Sequence, residues 1–129
     1  MSRLKRLSIA LLGSASAAYG DALKDEQEVL AQIADVIIET YATESAIARA
    51  EKMVASGDGR AGLAADIAAV YTNDAADKVA AASRQVVAAL GDGALAAGVQ
   101  RLVPYAGIDA IAVRRRIADA VIEAGKYPL

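Results

Sequence analysis

The chain has 129 residues, a net charge of −2 and 56% apolar residues, of which 33 are alanine and none is Trp or Phe. It contains no Cys and no His, which excludes disulfides, thiolate nucleophiles, imidazole bases and Cys/His zinc sites. This length predicts one domain over residues 1–129, and the alanine-rich composition predicts closely packed helices. The slight negative charge excludes a general attraction to nucleic acid.

The first twenty residues allow two interpretations. A basic start, a short apolar stretch at 9–12 and the small residues after it have the outline of a secretory signal. Four residues at helical spacing instead predict a core-facing helix that ends at Gly20; these residues are Leu4, Leu7, Leu11 and Ala15. We favour the helix, because the unbroken apolar stretch is shorter than the hydrophobic region of a usual signal.

A long second helix is predicted from Glu26 to about Ala55, because that segment contains no Gly or Pro. Asp25 and Glu28 stand at the spacing of a capping box at its start. The helical period predicts one core-facing side, made of Leu30, Ile33, Ile37, Tyr41, Glu44 or Ser45, and Ala48, and widened by Val29, Val36 and Ile47.

Glycine, proline and aspartate divide the rest of the chain into three further helices. The glycine-rich stretch 56–62 predicts a turn, and the apolar period then predicts one helix over 63–90, with a kink allowed at 72–73. Asp92 caps a short helix to Leu102, Pro104 and Gly107 mark a connection, and Asp109 and Gly125 bound the last helix. The predicted fold is all-α, an up-and-down bundle of four main helices with one short extra helix.

Two glycine-rich segments resemble nucleotide-binding loops only superficially. The run 57–62 lacks the Gly-Lys-Ser/Thr ending of a phosphate loop and follows a helix. Gly91, Gly93 and Ala96 have the loose dinucleotide spacing, but no strand is predicted before them. Both segments are interpreted as helix ends.

Acidic and basic clusters favour structural roles over a metal or nucleic-acid site. Asp35, Glu39 and Glu44 are expected to form a solvated face with Lys or Arg partners. The side chains of Arg114, Arg115 and Arg116 diverge by about 100° per residue on a helix, so they cannot all reach one ligand. At least one should pair with a neighbouring helix, and the cluster is a candidate contact with another domain. The N-terminal bases Arg3, Lys5 and Arg6 allow a weak contact with an anionic membrane surface.

Several ordered segments together resemble the C-terminal helical domain of very-long-chain-type acyl-CoA dehydrogenases. They are 4–8 (LKRLS), 11–13 (LLG), 19–20 (YG), 25–39 (DEQEVLAQIADVIIE), 41–46 (YATESA), 49–52 (RAEK) and 114–129 (RRRIADAVIEAGKYPL). The resemblance spans essentially the whole chain, although 56–102 matches only in general character.

The resemblance implies a part of a flavoenzyme of fatty-acid oxidation. Members of that family bind FAD, dehydrogenate a long acyl-CoA and use a carboxylate base in a dehydrogenase domain that precedes the helical one. No catalytic, cofactor or metal residue is carried onto this chain, and FAD is expected only in the parent enzyme. The expected roles are docking on the dehydrogenase core, self-association as a dimer or membrane attachment. Candidate contacts are Arg114, Arg115, Arg116 and Tyr127, and the expected location is the bacterial cytoplasm.

Two other functional classes stay open at the level of sequence. One is a free-standing, exported helical module for protein interaction, whose first twenty residues are removed. The other is a lipid-surface protein that uses the basic N-terminus or the turn at 57–62.

Docking on another domain further predicts that the chain exposes a large apolar patch.

Overall fold

The computed structural model describes residues 2–103 and 107–129, and most of these residues are helical. No strand occurs in those two ranges. The helices are α1 Arg3–Tyr19, α2 Gln27–Ala55, α3 Ala61–Leu90, α4 Gly93–Leu102 and α5 Ala110–Ala124. The all-α class and the set of four main helices with one shorter helix are therefore confirmed.

The chain divides into two compact units. The described residues of the first unit are 2–41 and 75–103, and those of the second are 42–74 and 107–129. One part of α2 and one part of α3 belong to the first unit, and the other parts belong to the second. Neither unit is therefore a continuous stretch of sequence.

The first unit has an apolar core of buried Leu, Ile, Val and Ala side chains. It combines one buried side of each of the four helices that contribute to it: Leu4, Leu7, Leu11 and Ala15 from α1, Val29, Ile33 and Val36 from α2, Val79, Ala82 and Val86 from α3, and Leu95 and Val99 from α4. Leu7, Leu11 and Ala15 have no exposed surface. The predicted core-facing stripe of α1 is therefore confirmed.

The predicted core-facing side of α2 is wrong in part. Ile37 and Tyr41 are 44% and 76% exposed, and Ala48 is exposed as well. The buried side contains Thr40 and Thr43 instead. The helix carries apolar residues on two sides, and the Thr40 hydroxyl can face inward because it donates a hydrogen bond of 2.7 Å to the Val36 carbonyl.

Aspartates and glycines end the helices largely as predicted. The carboxylate of Asp92 accepts a hydrogen bond from Leu95 N at 3.0 Å, and α5 ends at Gly125 with a left-handed backbone, φ 66°. The capping box at Asp25 is displaced, since Asp25 ends a 3-10 helix, Gly20–Asp25, and α2 begins only at Gln27. Gly107 lies outside any helix as expected, and Pro104 falls outside the described residues.

Replacing Asp109 by alanine should lower the free energy of unfolding by about 1 kcal/mol. Asp109 accepts a hydrogen bond from Ala112 N at 3.0 Å at the start of α5, and alanine would leave that amide without this partner. Asp119→Ala, an exposed site within the same helix, is the control. Urea denaturation followed by circular dichroism measures both, and equal losses at the two positions would contradict a capping role for Asp109.

The second unit is packed from much smaller side chains. Its buried cluster consists of Ala50, Met53, Ala64 and Ala68, against which Leu129 packs from the C-terminal end of the chain. The largest fully buried side chains among the described residues all lie in the first unit. The second unit therefore has little large-side-chain core of its own.

The turn between α2 and α3 is held by one aspartate. Asp58 accepts hydrogen bonds from the backbone N of Arg60 at 2.8 Å and from its guanidinium at 2.8 and 3.1 Å. The guanidinium lowers the pKa of Asp58 from 3.8 to about 2. Gly57 has φ 68°, which glycine adopts at little cost. The predicted turn is confirmed, and α3 then runs unbroken through 72–73.

Candidate docking surface

Two of the three consecutive arginines of α5 form ion pairs with α3. The Arg116 guanidinium donates two hydrogen bonds to the Asp66 carboxylate, at 3.0 and 2.8 Å, and Arg114 donates one to Asp74. Both partners are partly buried residues of α3 in the second unit, about two turns apart. The prediction that at least one arginine pairs with a neighbouring helix is confirmed.

Arg115 is left on the outer side of α5. It is exposed, and among the described residues it has no ion pair or hydrogen-bond partner. Ile111 and Ile122 stand one turn before it and two turns after it on the same side of the helix, and they are 65% and 77% exposed. Tyr127, at 63% exposed, follows the helix. This side of α5 therefore offers apolar contacts around one free cation.

The ion pair with Arg116 changes the protonation of Asp66. The hydrogen bonds from Arg116 stabilise the carboxylate and lower the pKa of Asp66 below its ordinary value of 3.8. The same contact raises the pKa of Arg116. Both side chains are partly exposed, so screening by solvent keeps the contribution of the pair to stability small. The pair lies on the side of α5 that faces α3.

The stabilisation by this pair should be lost at acidic pH. A carboxyl group with a lowered folded-state pKa stabilises the fold above its unfolded pKa, and this contribution disappears as the pH falls through the lowered value. We expect the Asp66 carboxyl to titrate below 3.8 in the wild type and closer to that value in Arg116→Ala. Carbon NMR of the carboxyl group measures this. Arg115→Ala is the control and should leave the Asp66 titration unchanged.

The second unit also contains an open apolar groove. Its volume is about 540 Å³, and its walls are formed by α2, α3 and Ile108, which lies two residues before α5. The lining residues are mostly small and apolar: Ile47, Ala50, Glu51, Val54, Ala55, Ala65, Ala68, Ala69, Thr72 and Ile108. Glu51 is the one charged residue in this set. The groove can hold apolar side chains, and it carries no set of donors for an anionic group.

One of the three acidic residues of α2 has the basic partner that was predicted. Glu39 forms an ion pair with Lys78 at 3.0 Å, but its side chain is only 14% exposed, so the predicted solvated face is wrong at this position. No group of three potential metal ligands occurs within 2–103 and 107–129. Gly91 ends α3 with φ 65°, so the loose dinucleotide spacing marks a helix end as predicted.

Sequence reasoning did not identify the groove or the exposed apolar residues of α2. Ile37, Ile38 and Tyr41 form an outward side of α2 in the first unit, with exposed fractions of 44%, 60% and 76%. The only sequence signal was that α2 carries large apolar residues on more than one side. Half of the residues that line the groove are alanines. Alanine occurs both in helix cores and on helix surfaces, so its positions in the sequence do not reveal a groove.

Comparison with known proteins assigns this arrangement to a family. A family model described as acyl-CoA dehydrogenase, C-terminal domain, matches residues 3–98. A probable acyl-CoA dehydrogenase of Bacillus subtilis (strain 168) is 27% identical in an alignment of 128 residues, and the match covers 95% of this chain and 22% of that protein.

The fold agrees with that match. The crystal structure of an acyl-CoA dehydrogenase complexed with FAD from Bacillus anthracis has a TM-score of 0.91 to this chain, with 26% sequence identity. The match covers 98% of this chain and 22% of that one. This chain thus spans about a fifth of the length of these two relatives. It belongs to the acyl-CoA dehydrogenase C-terminal domain family.

Proposed function

We propose that this chain acts as the non-catalytic C-terminal helical domain of an FAD-dependent acyl-CoA dehydrogenase of fatty-acid oxidation, and that it docks on the dehydrogenase core. The observation that carries the proposal is the structural agreement over 98% of this chain with a fifth of an FAD-complexed acyl-CoA dehydrogenase. In such a protein the remaining four fifths of the polypeptide would hold the flavin and the substrate. On this proposal the chain is inactive by itself and works in the cytoplasm.

The described residues do not fit a flavin. The pyrophosphate of FAD needs hydrogen-bond donors or basic groups, and the apolar groove offers only Glu51 as a charged side chain. A second cavity of about 410 Å³, between α3 and α4, has one basic residue, Arg84, and one acidic residue, Asp77, in its lining. Neither cavity combines the donors and the enclosure that a dinucleotide requires, so the proposal assigns FAD to the dehydrogenase core.

The outer side of α5 is a proposed contact with that core. Arg114 and Arg116 form ion pairs with α3, whereas Arg115 and Tyr127 are exposed and accessible to another domain. The apolar residues Ile111 and Ile122 beside them would lose exposed surface on docking, and such burial is favourable by about 25 cal/mol per Å². Of the four candidate contacts, Arg115 and Tyr127 are thus the ones with free side chains.

A chimeric enzyme tests the docking. This chain would replace the equivalent C-terminal segment of the Bacillus anthracis acyl-CoA dehydrogenase. We expect the attached domain to unfold at a higher temperature than the separate 129-residue chain, because docking in one polypeptide has a high effective concentration. Calorimetry measures the unfolding temperature of the attached domain, and flavin fluorescence reports whether the flavin-binding part stays folded. A domain that melts as it does alone, while the flavin part stays folded, would contradict the proposal.

Dimer organisation is a finer part of the same proposal. The exposed apolar residues of α2 and α5 could also be covered by a second copy of the chain. Light scattering of the separate chain over a range of concentrations measures this. A constant monomer mass would assign these residues to the core contact alone.

A membrane-surface contact is a second candidate, favoured by one side of α1. Lys5, Ile9 and Leu12 share this side, and Ile9 and Leu12 are 60% and 41% exposed. Among the described helices, none has both the length and the apolarity needed to cross a membrane. Co-sedimentation with anionic vesicles at low salt tests the contact, and a chain that stays in the supernatant would remove it.

A further inference from the structure

The apolar groove of the second unit adjoins the small buried cluster of that unit. The groove shares Ala50 and Ala68 with the small buried cluster, and no side chain larger than Met53 belongs to the buried part of that cluster. A small unit with so few large buried side chains gains little from its own core. Additional apolar surface placed in the groove would therefore stabilise this unit directly.

The shape of the groove limits what can occupy it. Five of its lining residues are alanines: Ala50, Ala55, Ala65, Ala68 and Ala69. Alanine lets another backbone approach closely, and the larger Ile47, Val54 and Ile108 complete the walls. A groove of this kind fits an amphipathic helix that inserts large apolar side chains, and it fits an extended polar ligand poorly.

Charge and chain length identify the source of that helix. Glu51 is exposed in the groove lining, so a basic side chain beside the apolar ones would complement it. The two relatives each contain roughly four fifths of a polypeptide beyond the part that this chain matches. The occupant to expect is thus the remainder of the enzyme.

We infer that the groove between α2 and α3 of the second unit binds an amphipathic helix from the dehydrogenase core. The apolar side chains of that helix pack against the alanines, and a basic side chain pairs with Glu51. This inference rests on the proposed function. It adds to the outer side of α5 a second contact surface, the groove, and the chemistry of the segment that fills it.

Hydrogen exchange locates the contact. The probe is the chimera described above, compared with the separate chain, and the readout is the exchange of amides in residues 47–55 and 65–72. We expect these amides to exchange about tenfold more slowly in the chimera, because docking suppresses local opening. The variant Val54→Glu should remove this protection, and Glu51→Lys should weaken it. Val54 is 63% exposed, so the separate Val54→Glu chain should keep its circular dichroism spectrum.

The matched control is Ala88→Glu, at an exposed site of α3 in the first unit that belongs to none of the proposed contacts. It should leave the protection of the groove unchanged. Protection confined to α5 or to the first unit would overturn this inference while the docking proposal stands. Equal effects of Val54→Glu and Ala88→Glu would also overturn it. Exchange that is identical in the chimera and the separate chain would overturn both.

Discussion

Replacing Leu11 by alanine should lower the free energy of unfolding by about 2–5 kcal/mol. Leu11 has no exposed surface and belongs to the apolar core of the first unit. The substitution removes buried methyl groups and leaves a cavity that close-packed neighbours fill only in part. Urea denaturation followed by circular dichroism measures the loss.

Leu12→Ala is the matched control for this experiment. Leu12 is the next residue of α1 and is 41% exposed, so it should lose less than about 1 kcal/mol. Equal losses at the two positions would contradict the packing of α1 in the core. The same comparison bears on the exported-module hypothesis, because removal of the first twenty residues would remove Leu4, Leu7, Leu11 and Ala15 from this core.

The helices were predictable because their ends carry strong local signals. Asp92 and Asp109 accept hydrogen bonds from the first turns of α4 and α5, and Gly91 and Gly125 take the left-handed backbone that ends α3 and α5. Such signals depend on residues within one turn, so they can be read from the sequence without knowledge of the fold.

The inward side of α2 was not predictable in the same way. Ile33 and Ile37 stand one turn apart, yet Ile33 is 1% exposed and Ile37 is 44% exposed. The helix α2 carries large apolar residues on an outward side as well as on an inward one. The hydrophobic period then describes two surfaces at once, and only tertiary packing decides which one faces the core. Thr40 on the buried side made the pattern more misleading.

The candidate surface was predictable only where charge limits the geometry. Three consecutive arginines on a helix must diverge, which predicted an internal pair and is confirmed by Arg116 and Asp66. Which arginine stays free depends on the position of α3, which the sequence does not encode locally. The groove depends on the separation of two alanine-lined helices, and a helical period carries no information about that distance.

The high alanine content should make the core of the first unit intolerant of larger side chains. Ala15 has no exposed surface and packs in the same core as Leu11, one turn away. Ala15→Leu should lower the free energy of unfolding by about 1–3 kcal/mol, because added methyl groups force neighbours from their rotamers. Ala17→Leu, at an exposed position of α1, should change it by less than about 0.5 kcal/mol.

The double variant Leu11→Ala with Ala15→Leu separates close packing from simple burial. It keeps the total side-chain volume on one stripe of α1, and cores tolerate volume-conserving exchanges better than single changes of size. We expect a loss smaller than the sum of the two single losses by about 0.5–3 kcal/mol, as for residues in one packed neighbourhood. Strictly additive losses would mean that the two positions are packed independently, and that the small residues of α1 do not set how closely its neighbours approach.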